Sequence, residues 1–134
     1  MKGWPILAAA LLAAPAYAYT GKELREDCLA AESLYAADRA ASPYGSAKAA
    51  RCIAYVEGFA DSYAVSRHLA DSVGVRLDAF CLPPTEPGLS FRLVRAVLAQ
   101  LDRLPPNPEN STATLVAAAL SRTFPCSDSL ERRK

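Results

Sequence analysis

Four cysteines are the strongest constraint that this sequence places on its fold. Cys28, Cys52, Cys81 and Cys126 are separated by 24, 29 and 45 residues. No two of them form a Cys-x-x-Cys pair and the chain has a single histidine, His68, so neither a zinc site nor a redox motif fits the spacing. An even number of cysteines in a small exported domain is typical of disulfides. The compartment therefore decides how the cysteines are interpreted.

The start of the chain has the pattern of an export signal. Lys2 is followed by an apolar run at residues 4–14 and by an Ala-x-Ala pattern that ends at Ala18. The run is too short for a membrane-spanning helix, which needs roughly 20 residues. We predict cleavage after Ala18 and, in an oxidising compartment, two disulfides. The chain then divides into a signal peptide, a helical domain and a charged tail, at residues 1–18, 19–127 and 128–134.

The rest of the chain predicts an all-α fold. Strand signals are nearly absent, because no stretch alternates β-branched residues and no Asn-Gly hairpin turn occurs. Alanine and leucine dominate, which favours helix. Four segments combine a helix start signal with apolar residues at helical spacing. The starts lie at Thr20, near Ser46, at Ser90 and at Ser111 or Thr112. We therefore predict a small bundle of about four main helices.

The first two helices carry further local signals. Thr20 and Glu23 form a capping box, in which each side chain satisfies the other residue's free amide. A turn at residues 42–45 and a stop at Gly74 bound the second helix. Gly58 lies inside that helix, where glycine costs up to about 1 kcal/mol relative to alanine. We expect another helix to approach closely at Gly58.

The order of the helices indicates which cysteines pair. Four cysteines allow three connectivities. Cys28 and Cys52 lie on the facing apolar stripes of the first two helices, whereas Cys81 precedes the third helix and Cys126 follows the fourth. Antiparallel packing of each helix pair brings these positions together. We therefore prefer the pairs Cys28–Cys52 and Cys81–Cys126.

The composition argues against most kinds of chemistry. The formal net charge is +1, which lacks the positive excess of a nucleic-acid binder. His68 stands near the end of the second helix and no nucleophile-elbow motif occurs in the chain. Glu23, Glu26 and Asp27 are interpreted as carboxylates that favour a helix N-terminus. With no phosphate loop and no metal motif, we predict no enzyme activity, no cofactor and no metal.

A proline-rich loop is the remaining candidate site. Residues 104–110 read Leu-Pro-Pro-Asn-Pro-Glu-Asn and separate the third helix from the fourth. Because prolines stiffen the loop, little conformational entropy is lost when it docks on a partner. A simple connection between two helices is the alternative interpretation.

Each cysteine stands in a short motif of its own. The motifs are Thr20-Gly21-x-x-Leu24-x-x-x-Cys28, Cys52-x-x-Tyr55-x-x-Gly58-x-x-Asp61, Phe80-Cys81-Leu82-Pro83, and Ala117-Ala118-Ala119-Leu120 followed by Phe124-Pro125-Cys126. In this order they resemble the Rap1a/Tai family of type VI secretion immunity proteins. The resemblance covers about residues 20–126.

The resemblance implies a periplasmic, mostly helical immunity protein of a Gram-negative bacterium. Members of this family bind and occlude a secreted peptidoglycan amidase, often as dimers. The implied partners are a cognate amidase effector and a second copy of this chain, with no nucleic acid and no membrane after signal cleavage. By analogy, the loop presents its contact residues to the effector, at Pro106, Asn107, Glu109 and Asn110.

Two other functions stay open from the residues alone. A periplasmic structural or chaperone-like helical protein would bind many unfolded clients and suppress their aggregation at acid pH. A hydrolase that uses His68 would lose its activity when this residue is replaced by alanine.

Overall fold

The computed structural model describes residues 18–36 and 43–127, and within these ranges the regular structure is helical. The helices are α1 (Gly21–Tyr35), α2 (Pro43–Ser72), α3 (Leu89–Leu101) and α4 (Thr112–Thr123). The predicted all-α class and the four main helices are confirmed. The charged tail and all but the last residue of the predicted signal peptide lie outside the described residues. No helix in the two described ranges is long and apolar enough to cross a membrane.

The starts of α1 and α4 agree with the capping predictions. The Glu23 amide donates to Thr20 Oγ1 at 3.2 Å, and the Thr20 amide donates to Glu23 Oε2 at 2.8 Å. α4 begins directly after Ser111, whose Oγ accepts the Thr114 amide at 3.2 Å. Each bond satisfies a backbone donor that has no partner inside the helix.

α2 begins earlier than predicted and ends where expected. Its first residue is Pro43 rather than a residue near Ser46, so the predicted turn at residues 42–45 is wrong over its last three positions. Proline suits the first helical position, because its φ angle is already helical and no amide is needed there. At the other end, Gly74 follows the helix with a φ of 78°, the left-handed conformation that glycine adopts readily.

α3 does not use the predicted cap. The helix begins after Gly88, which has a φ of 76° and makes no side-chain capping bond. Ser90 therefore lies inside the helix. Its Oγ is 2.5 Å from the Tyr35 hydroxyl of α1, so this serine connects two helices instead of starting one.

Both predicted disulfides are confirmed. Cys28–Cys52 joins α1 to α2 with a Cα–Cα distance of 5.1 Å. Cys81–Cys126 joins the segment before α3 to the segment after α4 with a Cα–Cα distance of 5.0 Å. Next to the second bond, the Cys81 amide donates to the Phe124 carbonyl at 2.8 Å. The two ends of the α3–α4 hairpin are therefore closed both covalently and by a backbone bond.

The hydrophobic core receives side chains from every helix. The largest fully buried aliphatic residues are Leu24, Val56, Val94, Val97, Leu101, Val116 and Leu120. Burying a side chain of this size contributes about 1.5–3 kcal/mol relative to leaving it in water. α1 is therefore held between α2 and the α3–α4 hairpin by packing as well as by the first disulfide.

The distal half of α2 keeps one side against this core, at Ala60 and Tyr63, and exposes the other side. Gly58 is exposed, and a Cβ placed there would have no atom within 4 Å. The predicted close approach of another helix at Gly58 is therefore wrong for the part of the chain described. Further along, Val65 and Leu69 of α2 and Val73, which directly follows the helix, are between 59% and 75% exposed. The described residues therefore leave an aliphatic stripe uncovered at this end of α2.

Candidate partner-binding site

The loop between α3 and α4 rests on the first turn of α1. Gly21, the first residue of α1, is buried. A Cβ at this position would lie 2.6 Å from Pro108 Cγ and 2.8 Å from Leu115 Cδ1. Real Cβ atoms essentially never come this close to another heavy atom. The missing side chain of Gly21 is therefore what allows Pro108, in the middle of the loop, to sit against the helix backbone.

Both ends of the loop are also attached. At its start, Arg25 of α1 donates from Nη1 to Asp102 Oδ1 at 2.7 Å and from Nη2 to the Leu101 carbonyl. At its end, the buried Thr112 hydroxyl donates to the carbonyl of Tyr19, just before α1. The loop at Pro108, and the residues that flank it at Asp102 and Thr112, are thus attached to one short stretch of chain, residues 19–25, which we call the platform.

The predicted contact residues lie on the free side of this loop. Pro106, Asn107, Glu109 and Asn110 are all exposed, whereas Pro108 between them is half-buried. The three polar side chains make no hydrogen bond or ion pair with the described residues. The loop therefore presents two amides and one carboxylate on a backbone that the platform and the prolines hold in place.

An ion pair between a buried carboxylate and a half-exposed guanidinium lies next to the platform. The Asp27 side chain is 1% exposed. Arg51 of α2 donates to its two oxygens, from Nε at 2.5 Å and from Nη2 at 2.9 Å. The Tyr19 hydroxyl donates to the same carboxylate at 2.7 Å. Three donors, two of them from a charged guanidinium in the bidentate geometry, offset the cost of burying this charge.

The pKa values of this cluster follow from its contacts. Burial alone would raise the pKa of Asp27, but the hydrogen bonds from Arg51 and Tyr19 and the guanidinium charge outweigh it, so the pKa lies below its ordinary value. Burial, followed by the hydrogen bond to the Asp27 carboxylate, raises the pKa of the Tyr19 phenol. The hydrogen bonds to Asp27 also raise the pKa of Arg51. At neutral pH the pair is charged and the phenol is a donor.

Sequence reasoning missed this cluster. It grouped Asp27 with Glu23 and Glu26 as carboxylates at a helix start, which fits the capping Glu23 but not the buried aspartate. A usable signal was present, since Asp27 directly precedes Cys28 and Arg51 directly precedes Cys52. A disulfide between the two cysteines brings their neighbours together.

A separate groove of about 340 Å³ lies along the distal half of α2. Its polar lining includes Tyr63, Arg67, His68 and Asp71, and the Tyr63 ring stacks on Phe80 with centroids 4.1 Å apart. No serine, threonine or cysteine is among the described residues that line this groove. Among the described residues, no three His, Cys, Asp or Glu side chains are grouped to hold a metal ion.

Comparison with known proteins gives one result for the chain as a whole. The family described as Rap1a immunity proteins matches residues 20–126, a range that begins at the capping threonine and ends at Cys126. It includes both disulfides, the loop and all of the platform except Tyr19. No curated protein and no solved structure matches the chain. The family match confirms what the cysteine motifs indicate, and the chain belongs to the Rap1a immunity protein family.

Proposed function

We propose that this chain is a periplasmic immunity protein that binds a peptidoglycan amidase delivered by a type VI secretion system and occludes its active-site cleft. Membership of the family supports an immunity role and the binding of a cognate effector. The observation that carries the mode of binding is the exposed proline-rich loop, attached to the platform at three points. A loop already held in one conformation loses little entropy on docking.

The proposed contacts are the side chains on the free side of the loop. Asn107, Glu109 and Asn110 offer hydrogen-bonding groups that no described residue uses, and Pro106 adds apolar surface beside them. Side chains of this kind can replace the water that fills an enzyme cleft. An inhibitor that occludes a cleft needs no catalytic residue of its own.

The location rests on two features. The first eighteen residues have the pattern of a cleavable export signal. Two disulfides, one between α1 and α2 and one across the ends of the α3–α4 hairpin, fit an oxidising compartment. Together they support export to the periplasm, where the amidase substrate lies.

A second copy of the chain is proposed as a further partner. The aliphatic stripe at Val65, Leu69 and Val73 is left uncovered by the rest of the described chain, and exposed apolar stripes of this kind often mark protein–protein contacts. The occupant that we propose is the same stripe of a second copy, because a two-fold interface uses one patch twice.

The test uses the amidase encoded beside this chain, exported to the periplasm of a bacterial host. We expect the wild-type chain to prevent lysis and to form a tight complex whose mass, measured by light scattering, contains two copies of the chain. The matched variants are Glu109→Lys in the loop and Asp61→Lys on α2, both exposed carboxylates without an ion pair to a described residue. Glu109→Lys should weaken binding at least about tenfold, and Asp61→Lys should not.

Each part of the proposal can fail separately. Equal binding by the two variants would contradict the loop assignment. A complex with one copy of the chain would contradict the dimer. If the neighbouring genes encode no amidase and the chain inhibits no purified peptidoglycan hydrolase, the amidase is the wrong partner. Suppression of client aggregation at acid pH, without effector binding, would favour the chaperone-like alternative.

A further inference from the structure

The first residue after the predicted cleavage bond is part of the folded domain. The Tyr19 ring packs edge-on against Tyr55 of α2 with centroids 5.0 Å apart, and the Arg51 guanidinium lies 5.6 Å from the ring centroid. The Tyr19 hydroxyl donates to the buried Asp27 carboxylate of α1 at 2.7 Å. One side chain at the end of the predicted mature domain thus contacts both α1 and α2.

The backbone next to the same bond is equally engaged. The Tyr19 carbonyl accepts the hydroxyl of Thr112, the first residue of α4. The Thr20 amide donates to the Glu23 carboxylate, and the Thr20 carbonyl accepts an amide of the first turn of α1 at 2.9 Å. Ala18, on the other side of the bond, is exposed. Among the described residues, the contacts with the helices therefore begin at Tyr19, the residue that follows the cleavage bond.

Cleavage after Ala18 requires the chain on both sides of the bond. In this hydrolysis water adds across the Ala18–Tyr19 peptide bond: Ala18 leaves as a carboxylate, and the Tyr19 nitrogen leaves as an amine that takes up a proton. The peptidase must accommodate the Tyr19 side chain and carbonyl in its cleft. In the folded domain both are occupied, so cleavage depends on the small fraction of molecules in which Tyr19 has been released.

We propose that removal of the export signal precedes the docking of Tyr19, and that the folded, oxidised precursor is a poor substrate for the signal peptidase. The inference rests on the proposed export signal. Formation of the Cys28–Cys52 disulfide consolidates the docked state, because these cysteines directly follow Asp27 and Arg51, the two residues that hold the Tyr19 side chain. The order is export, cleavage, then docking and oxidation.

The test compares two states of the full-length 134-residue chain in detergent with purified bacterial signal peptidase. One sample is oxidised and folded, as verified by circular dichroism; the other is reduced and unfolded immediately before dilution. A peptide of residues 1–26 serves as a substrate that cannot fold into the domain. Mass spectrometry follows the product that begins at Tyr19. We expect the folded precursor to be cleaved at least about a hundredfold more slowly than the unfolded chain and the peptide.

The outcomes distinguish an error in the predicted export signal from an error in the proposed order of cleavage and docking. If the peptide is not cut after Ala18, the export signal itself is wrong. If the peptide is cut and the folded precursor is cut at the same rate, the signal stands and the proposed order is overturned.

A pair of threonine variants tests whether the hydrogen bond between Thr112 and the Tyr19 carbonyl slows cleavage. Thr112→Val removes the donor to the Tyr19 carbonyl and keeps the side-chain shape, whereas Thr123→Val changes an exposed threonine at the other end of α4. With both variants folded by circular dichroism, Thr112→Val should be cleaved about five- to tenfold faster than the wild-type folded precursor. Thr123→Val should match the wild type. Equal cleavage rates for the two variants would show that the Thr112 contact with the Tyr19 carbonyl does not slow cleavage.

Discussion

Replacing Gly21 by alanine should displace the loop from the platform. The new Cβ would lie 2.6 Å from Pro108 Cγ and 2.8 Å from Leu115 Cδ1. The leucine methyl is the far end of a flexible side chain and can rotate away. Pro108 has no such freedom, since its ring is part of the loop backbone. The substitution therefore has to displace either the loop or the first turn of α1.

The size of the effect follows from two opposing contributions. Forcing an extra methyl group into a packed site typically costs about 1–3 kcal/mol. Alanine regains at most about 1 kcal/mol through its better helix propensity. The free energy of unfolding should therefore fall by about 1–2 kcal/mol, which lowers the Tm of a domain of this size by about 4–8 °C. Effector binding should weaken as well, because Pro108 lies between the proposed contact residues.

Gly58→Ala is the matched control. It makes the same chemical change in another helix, at an exposed position where a Cβ meets nothing within 4 Å. Only the propensity contribution remains, so this variant should raise the free energy of unfolding by about 0.5–1 kcal/mol and the Tm by about 2–4 °C. Thermal unfolding followed by circular dichroism gives both values. If Gly21→Ala raises the Tm as Gly58→Ala does, the close packing of Pro108 on α1 is not real.

Two further predictions concern the Asp27–Arg51 ion pair and the disulfides. Asp27→Asn should lower the free energy of unfolding by about 1–3 kcal/mol at pH 7, because the charge-assisted hydrogen bonds to Arg51 and Tyr19 are lost. The pKa of Asp27 is lower in the folded state than in the unfolded state. Its stabilising contribution is therefore present above the unfolded pKa of about 3.9 and is lost as the pH falls towards the folded pKa. In urea unfolding between pH 7 and pH 3, the free energy of unfolding should therefore fall less steeply with decreasing pH for the variant than for the wild type. Parallel curves for the two proteins would refute this. Replacing Cys81 and Cys126 by alanine should lower the free energy of unfolding by about 4 kcal/mol, because this bond spans 45 residues. Replacing Cys28 and Cys52 should lower it by about 3.5 kcal/mol, because that bond spans 24 residues. Denaturation midpoints with the reverse order would contradict a chain-entropy origin.

The fold was largely predictable because its main determinants are local or periodic. The capping box at Thr20 and the cap at Ser111 depend on residues three positions apart, which the sequence displays directly. The disulfide pairing depends on which helix faces meet, and the apolar stripes that carry Cys28 and Cys52 define those faces. Such information needs no knowledge of how the helix pairs cross.

The errors arise where a residue's neighbour lies far away in the sequence. Ser90 is a good cap by type, but the Tyr35 hydroxyl of α1 uses its side chain. Gly58 suggested a close helix because its side of α2 was assumed to be covered, but it lies on the exposed side of the helix, between the buried Val56 and Ala60. Asp27 looked like one of three similar carboxylates until its side of α1 was known to face Arg51.

The candidate site was predictable only in part. Proline content indicated that residues 104–110 form a stiff, exposed connection. The sequence did not indicate that Gly21, some 87 positions before Pro108, creates the space in which the loop sits. Nor did it indicate the attachment of Thr112 to the Tyr19 carbonyl. Long-range contacts of this kind decide whether a proline-rich stretch is a rigid contact element or only a connection.

The Cys81–Cys126 disulfide also bears on how such a protein can change over generations. It closes a covalent ring that contains α3, the loop and α4. Substitutions on the free side of the loop leave the ring, the hairpin and the seat of Pro108 as they are. Under the proposed contact assignment, partner recognition can therefore change at Asn107, Glu109 and Asn110, one mutation at a time, without passing through an unfolded intermediate. Within one short chain, the residues that maintain the fold are thus separate from the residues that are proposed to determine specificity.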